Sequence, residues 1–153
     1  MAARVVFNAV AILGTGTFTG VMLAIGVILG GHWRSVPAAG FLDAFGTSVP
    51  LIMRAIPIAL VPAVLGLGGS VWLAWGQRSE QGIWLASSAC FLLVLALTAT
   101  YFRSTNAQFM ARSAALDQVP IMLKTWLLVH SLRVLLGAAA TVLGVVAVAG
   151  GQP

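Results

Sequence analysis

The sequence predicts an all-α integral membrane protein, built as a four-helix bundle. Of its 153 residues, 60% are hydrophobic and only 7% are charged, whereas an ordinary soluble domain carries roughly 25% charged residues. The chain also contains four apolar stretches, each long enough for the roughly 20 residues that cross a bilayer as a helix. So few charges cannot cover the surface of a single domain, 1–153, and the composition therefore excludes a soluble globular protein.

The four predicted transmembrane helices cover about residues 5–30, 49–75, 82–102 and 121–149. Four spans put both ends of the chain on one side of the membrane, together with Arg4 and Arg78. The other side holds the loops 31–48 and 103–120 and more of the basic residues. The positive-inside rule then predicts that these loops are cytoplasmic, and we expect a multi-pass protein of the bacterial cytoplasmic membrane.

Glycine and proline residues distinguish the first two predicted helices. The first contains "GTFTG" (16–20) and "GVILG" (26–30), whose G-x-x-x-G spacing favours close helix packing, either within the chain or in a homo-oligomer. The second contains three prolines, each lacking a backbone donor, so we expect a kinked or broken helix. Aromatic residues near the predicted helix ends are typical of interfacial belts: Trp33, Trp72, Trp75, Trp84 and Tyr101.

The fourth predicted helix carries an unusual polar segment, "KTWLLVHSLR" (124–133). Helical periodicity places Trp126, His130 and Arg133 on one face, together with Gly137, Thr141 and Gly144. The opposite face is apolar and suited to lipid. Lys124 can extend to the headgroups, but Arg133 lies about three turns into the span, where a charge needs a partner or water.

Other polar residues are expected at the same end of the bundle. Arg54 follows the first loop, His32 and Asp43 belong to it, and Asn106 follows the third helix in "STNAQF". Asp43 and Asp117 are the acids available there to neutralise Arg54 or Arg133. This convergence predicts a membrane-embedded pocket beneath one leaflet.

The combination of "STNAQF" (104–109) with "WLLVHSLR" (126–133) resembles the anthrone oxygenase-like family of small four-helix membrane proteins. The resemblance covers the chain in length and helix layout, and its motif consists of Asn106, Trp126, His130 and Arg133. It implies that an anthrone, a hydrophobic aromatic molecule, is oxidised by O₂ to an anthraquinone without an obvious cofactor.

Each of these residues has a chemical role in that reaction. His130 is the candidate base, and Arg133 or Arg54 would stabilise the enolate oxygen. Asn106 would orient the substrate carbonyl, and Trp126 would stack on the aromatic rings. We therefore take His130, Arg133 and Asn106 as candidate catalytic residues, and we list the candidate substrate-binding residues as Trp126, Arg54, His32 and Asp43.

Two alternatives follow from the same residues. His32, His130 and Asp43 form a candidate two-histidine, one-carboxylate set for iron or copper. A non-catalytic protein would instead use the arginines to bind a lipid, a quinone or an anionic ligand, as a small transporter or as a subunit of a larger membrane complex.

Several other functions are excluded by the sequence. It contains no phosphate-binding loop of the G-x-x-x-x-G-K-[ST] type, no G-x-S-x-G nucleophile motif and no C-x-x-C pair. The single cysteine, Cys90, cannot form an intrachain disulfide. The basic residues are scattered and form no stripe, so no nucleic-acid partner is expected and the lipid bilayer is the expected surroundings.

Overall fold

Four long helices account for nearly all of the structure. The computed structural model describes residues 1–150, and the predicted domain 1–153 therefore includes three residues, 151–153, outside the described ones. The helices are α1 (Ala2–Ser35), α2 (Ala38–Leu73), α3 (Arg78–Met110) and α4 (Val119–Gly150), and no strand occurs within residues 1–150. All four are long and apolar enough to cross a membrane. The predicted all-α membrane bundle and its multi-pass character are confirmed.

The predicted loops 31–48 and 103–120 are wrong, because most of their residues extend the helices. Only Val36 and Pro37 separate α1 from α2, and residues 111–118 separate α3 from α4. Phe41, Leu42 and Phe45 are all buried and recur at helical spacing, so they anchor an amphipathic first part of α2. Hydropathy alone finds the apolar middle of a helix and misses such an amphipathic end.

The three prolines of α2 do not break it. The helix runs continuously from Ala38 to Leu73 through Pro50, Pro57 and Pro62. Membrane helices tolerate proline where neighbouring groups compensate for the missing backbone donor. The break predicted from these prolines is therefore not found.

Two short π-helical segments interrupt regular α-helix, at Ile25–Leu29 in α1 and at Thr98–Phe102 in α3. A π-helical turn contains one extra residue, which changes the direction in which nearby backbone and side-chain groups point. Both segments lie beside the candidate site described below.

The helices pack as two close pairs, α1 with α2 and α3 with α4, and the contact between α1 and α4 joins the pairs. Helix α1 packs along α2 and α4, and α3 packs along α4, whereas α2 and α3 share few contacts. Glycines bring α1 and α2 together, because Gly14 faces the backbone of Ala63 and Gly66 faces that of Ala11. The loose α2–α3 pair leaves a cleft between these helices.

Three of the four glycines in the two G-x-x-x-G motifs also serve packing within the chain. Gly16 faces Thr141, Gly26 faces His130 and Gly30 faces Leu127, all three on α4. Gly20 has no atom within 4 Å of the position that a Cβ would take. Glycines of α1 thus allow close packing against α4 as well as against α2.

An aromatic cap closes one end of the bundle, and we define it as Trp33, Phe41, Phe45, Phe109 and Trp126. Neighbouring rings in this cap have centroids 5.0 to 6.1 Å apart. Most of the pairs meet edge to face, as favourable aromatic pairs do. Trp33 is therefore a core residue, and its predicted place in an interfacial belt is wrong.

Trp84 departs from the belt prediction in the same way. It is 0% exposed and its ring packs against Gly144 of α4, whereas Trp72 and Trp75 are 78% and 71% exposed. The small residue on α4 creates the space that the indole occupies.

Gly66→Ala is expected to lower the free energy of unfolding by about 1–3 kcal/mol, since its Cβ would overlap the backbone of Ala11. The matched control is Gly68→Ala, where no atom lies within 4 Å. Alanine favours a helix over glycine by up to about 1 kcal/mol, so the control should be neutral or stabilising. Thermal unfolding in one detergent measures both, and equal midpoints would contradict the close α1–α2 packing.

Candidate functional site

His130 is the centre of a buried hydrogen-bonded network that joins α1 to α4. It is 1% exposed, and its Nε2 lies 2.7 Å from the backbone carbonyl oxygen of Met22. Because a carbonyl only accepts, Nε2 carries the hydrogen and donates it. Nδ1 is then the acceptor for Arg133 Nη2, at 3.0 Å. The two neighbours thus fix the tautomer of the imidazole.

Gly26 makes this approach of α1 and α4 feasible. A Cβ at this position would lie 3.1 Å from His130 Cδ2, tighter than side chains normally pack. Gly26 belongs to the π-helical segment Ile25–Leu29, which directly follows the turn containing Met22. The local sequence of α1 therefore supplies both the space for the imidazole and the carbonyl that binds it.

Arg133 is held by neutral groups from three helices. Its Nη1 donates to Thr98 Oγ1 at 3.2 Å, and its Nη2 also contacts Met22 Sδ at 3.1 Å. The guanidinium carbon lies 3.7 Å from the centroid of the Phe102 ring, a cation–π arrangement. The Nε atom is buried and has no hydrogen-bond partner. Thr98 and Phe102 come from the π-helical segment of α3.

No acid within residues 1–150 pairs with Arg133. Asp43 pairs with Arg112 at the surface, and Glu80 pairs with Arg4, whose Nη1 lies 3.3 Å from Glu80 Oε2. The third acid, Asp117, is exposed in the connection between α3 and α4. A guanidinium keeps its charge in proteins, so the buried positive charge of Arg133 is not neutralised by a side chain of the described residues.

Trp126 connects this network to Asn106. Its indole stacks on the His130 imidazole, with ring centroids 4.8 Å apart and planes 8° apart. The indole nitrogen donates to Asn106 Oδ1 at 2.8 Å. Because an indole N–H only donates, the Asn106 atom that faces it is the amide oxygen. The amide nitrogen of Asn106 donates no hydrogen bond within residues 1–150 and is free to bind a ligand.

A cavity of about 520 Å³ opens between α2 and α3 in front of these groups. Its floor is formed by buried residues, among them Phe18, Met22, Trp126 and Arg133. Its rim is formed by exposed residues, which are Met53, Arg103, Ala107 and Met110. Apart from Arg133, Thr98, Asn106 and Arg103, the side chains that line the cavity are apolar or aromatic. The volume falls in the usual range for a small-molecule site.

Three of the sequence-predicted residues lie in the wall of this cavity: Trp126, Arg133 and Asn106. His130 lies directly behind Trp126 and Arg133, and its other side borders a shallow groove between α1 and α4. The predicted polar face of α4 is confirmed, because Leu128, Leu132, Leu135 and Val142 on the opposite face are exposed while His130 and Arg133 are buried.

The structure does not bring the other three predicted residues to the cavity. His32 is exposed near the end of α1, and Asp43 is exposed and paired with Arg112. Arg54 is exposed on α2, and its neighbour Met53 lines the cavity instead. Within residues 1–150, no three His, Cys, Asp or Glu side chains come together. His32, His130 and Asp43 therefore do not form the ligand set considered for iron or copper.

Sequence reasoning missed four residues of the site. Thr98, Phe102 and Met22 lie in apolar stretches, where only the three-dimensional packing shows their contacts with Arg133. Arg103 lines the cavity, whereas its position in the predicted loop 103–120 indicates only a contribution to membrane topology. The four-residue spacing of Thr98 and Phe102, just before "RSTN", was the available signal.

Replacing His130 by leucine is expected to lower the free energy of unfolding by about 1–3 kcal/mol, because the Met22 carbonyl and Arg133 each lose a buried partner. Ser131→Ala is the adjacent control, since Ser131 is exposed and donates only to the Leu127 carbonyl. Surface changes of this kind stay within about 0.5 kcal/mol. Chemical denaturation in mixed micelles measures both, and two equal losses would refute a special role for the His130 bonds.

Comparisons of the chain with protein-family models, with curated proteins and with solved structures find no match.

Proposed function

We propose that this protein binds, within the membrane, a flat hydrophobic molecule that carries an acidic or anionic oxygen. The observation that carries the proposal is the buried Arg133, which lines the cavity with no carboxylate partner among residues 1–150. A charge at this depth costs several kcal/mol unless it is compensated. An oxyanion on the ligand would supply the missing countercharge and a partner for the guanidinium.

The shape and chemistry of the cavity support an aromatic ligand. Phe102 and Trp126 present rings at its floor, and Ile52, Ile56 and Leu60 of α2 form an apolar wall opposite α3. A planar ring system would fit between such surfaces, with its polar atoms toward Arg133 and Asn106. Phenols, enols and aromatic carboxylic acids all combine a flat apolar body with an acidic oxygen.

The second candidate function is oxidation of an anthrone-type substrate by O₂ to a quinone, without a cofactor. The observation that favours it is the 3.0 Å contact between His130 Nδ1 and Arg133 Nη2, which places a base beside an oxyanion-binding group. It is also the reaction that the likeness to the anthrone oxygenase-like family suggests.

The reaction balances with the substrate as the only reductant. Loss of one benzylic proton gives an enolate, whose oxygen would accept hydrogen bonds from Arg133. The carbanionic carbon then transfers electrons to O₂ and forms a C–O bond, and the peroxide takes up the proton. Loss of water converts this hydroperoxide to a second carbonyl, so that one oxygen atom enters the quinone and the other leaves as water.

His130 would act as the base only after a change of partner. Its Nδ1 lone pair accepts from Arg133, and its Nε2 hydrogen is donated to Met22. The ketone oxygen of the bound substrate, by drawing the Arg133 guanidinium toward the cavity, would release Nδ1, and the same oxygen becomes the enolate oxygen when His130 takes the proton. In this proposal one ligand oxygen both compensates the guanidinium and frees the base.

We further propose that the end carrying the aromatic cap faces the cytoplasm of a bacterial cell. Arg34, Arg103, Arg112 and Lys124 lie toward this end, whereas Arg4 and Arg78 lie at the opposite one. This distribution agrees with the positive-inside rule.

Arg133→Gln is expected to weaken binding of naphthalene-2-carboxylate at least about tenfold, because a buried charge pair is lost. Quenching of tryptophan fluorescence in detergent measures the affinity, since Trp126 lines the cavity. Arg54→Gln removes an equal charge outside the cavity and should bind like the wild type. Arg133→Lys, which retains the charge, should bind more tightly than Arg133→Gln. Unchanged affinity in folded Arg133→Gln would refute the binding proposal.

The oxidation proposal is tested by oxygen uptake with a simple anthrone, after subtraction of autoxidation in empty membranes. The wild type should consume one O₂ per quinone formed. His130→Ala and Arg133→Gln should both reduce this rate to background, because base and oxyanion stabilisation each contribute about 100-fold or more. Uptake that does not exceed background in protein that still binds naphthalene-2-carboxylate would reject catalysis and leave binding as the function.

A further inference from the structure

We infer that Arg103 is a second recognition residue, and that the ligand carries two acceptor groups at opposite ends of a rigid apolar core. This inference rests on the proposed function, since it takes Arg133 as the first recognition point. It deepens that function by specifying the class of ligand. Arg103 is exposed at the rim of the cavity, on the same helix as Thr98, which holds Arg133.

The spacing along α3 separates the two recognition points. Arg103 follows Thr98 by five residues and Asn106 follows it by eight, which correspond to about 7 Å and 12 Å along the helix axis. Thr98 Oγ1 is 3.2 Å from Arg133 Nη1, so Thr98 marks the level of the deep charge. A ligand that reaches both levels must place its polar groups at roughly this separation, which is more than one carboxylate spans.

Hydrogen-bond donors line the cavity both at the level of Thr98, where Arg133 lies, and at the level of Arg103 and Asn106. Arg133 and Arg103 only donate hydrogen bonds, and Asn106 offers an unpaired amide nitrogen while its oxygen accepts from Trp126. Thr98 donates its own hydrogen to the Val94 carbonyl and accepts from Arg133. Donors therefore predominate at the cavity, because each of the two acceptor oxygens, of Asn106 and Thr98, already accepts one hydrogen bond. A ligand with an acceptor at each end complements these donors.

Arg103 also lacks a carboxylate partner in the structure. The ion pairs within residues 1–150 are Arg4–Glu80 and Arg112–Asp43, and Arg103 belongs to neither. The wall of the same cavity includes Phe102, Met53 and Ile56, which suits an apolar core. Two positive groups at the ends of an apolar slot are complementary to a molecule with an acceptor at each end.

Two isomers of one dicarboxylate test this inference at constant charge. Naphthalene-2,6-dicarboxylate carries its carboxylates at opposite ends of the ring system, and naphthalene-2,3-dicarboxylate carries both at one end. Titration of each against wild-type protein in detergent, with tryptophan fluorescence as readout, should show about fivefold tighter binding of the 2,6 isomer, the effect of one partly exposed charge pair. Naphthalene-2-carboxylate serves as the single-acid reference.

Arg103→Gln should abolish the preference for the 2,6 isomer, and it should weaken the binding of naphthalene-2-carboxylate less than Arg133→Gln does. Arg54→Gln removes the same charge from the exposed surface of α2 and should keep the preference. A 2,6 preference that persists in Arg103→Gln, or that is absent from the wild type, overturns the inference while Arg133-dependent binding of the single acid still stands. Loss of Arg133 dependence for all three compounds overturns the proposed function as well.

Discussion

The burial of the Arg133 guanidinium is the constraint on which the site depends. At 1.5 Å per residue, Arg133 lies about 21 Å from the start of the 32-residue helix α4. That helix is about 48 Å long, so a hydrocarbon layer of about 30 Å placed within it begins no more than about 18 Å from its start. Arg133 therefore lies inside the layer wherever the helix is centred. The imidazole, hydroxyl, thioether and aromatic ring around it are the means by which the bundle accommodates this charge.

The contacts that accommodate the Arg133 charge bring α1 and α3 against α4. Gly26 lets α1 approach His130. The π-helical segment of α1 begins three residues after Met22, and that of α3 begins at Thr98, so both segments adjoin residues that bind the network. Since α1 and α3 must both reach α4, the remaining contact, between α2 and α3, is the loose one. The cavity thus lies between the two loosely packed helices, α2 and α3, next to the closely packed Arg133 guanidinium.

The sequence predicted the parts of the structure that depend on a single helix. Hydropathy located four spans, and helical periodicity placed Trp126, His130 and Arg133 on the buried face of α4. Neither hydropathy nor periodicity identifies contacts between helices, because an apolar residue such as Met22 or Phe102 does not stand out in an apolar stretch. The same limit explains why Trp33 and Trp84 were assigned to the membrane interface, since a tryptophan near a helix end has equal hydropathy whether it faces headgroups or a neighbouring helix. Arg54 and Asp43 were grouped with the site because α2 was taken to begin eleven residues later than it does.

The position of the cavity bears on how a ligand would reach it. Its mouth is a gap between two membrane-spanning helices, and Met53 and Met110 at its rim face outward. A hydrophobic molecule is concentrated in the bilayer, so a lateral mouth offers it a path that never crosses water. One polar end of such a molecule would reach Arg133, its apolar body would lie against Ile56 and Phe102, and its other polar end would stay beside Arg103 at the rim. A lateral entrance and an internal countercharge together favour a ligand that is both lipophilic and acidic, because a water-soluble anion would lack the route and a neutral lipid would lack the attraction.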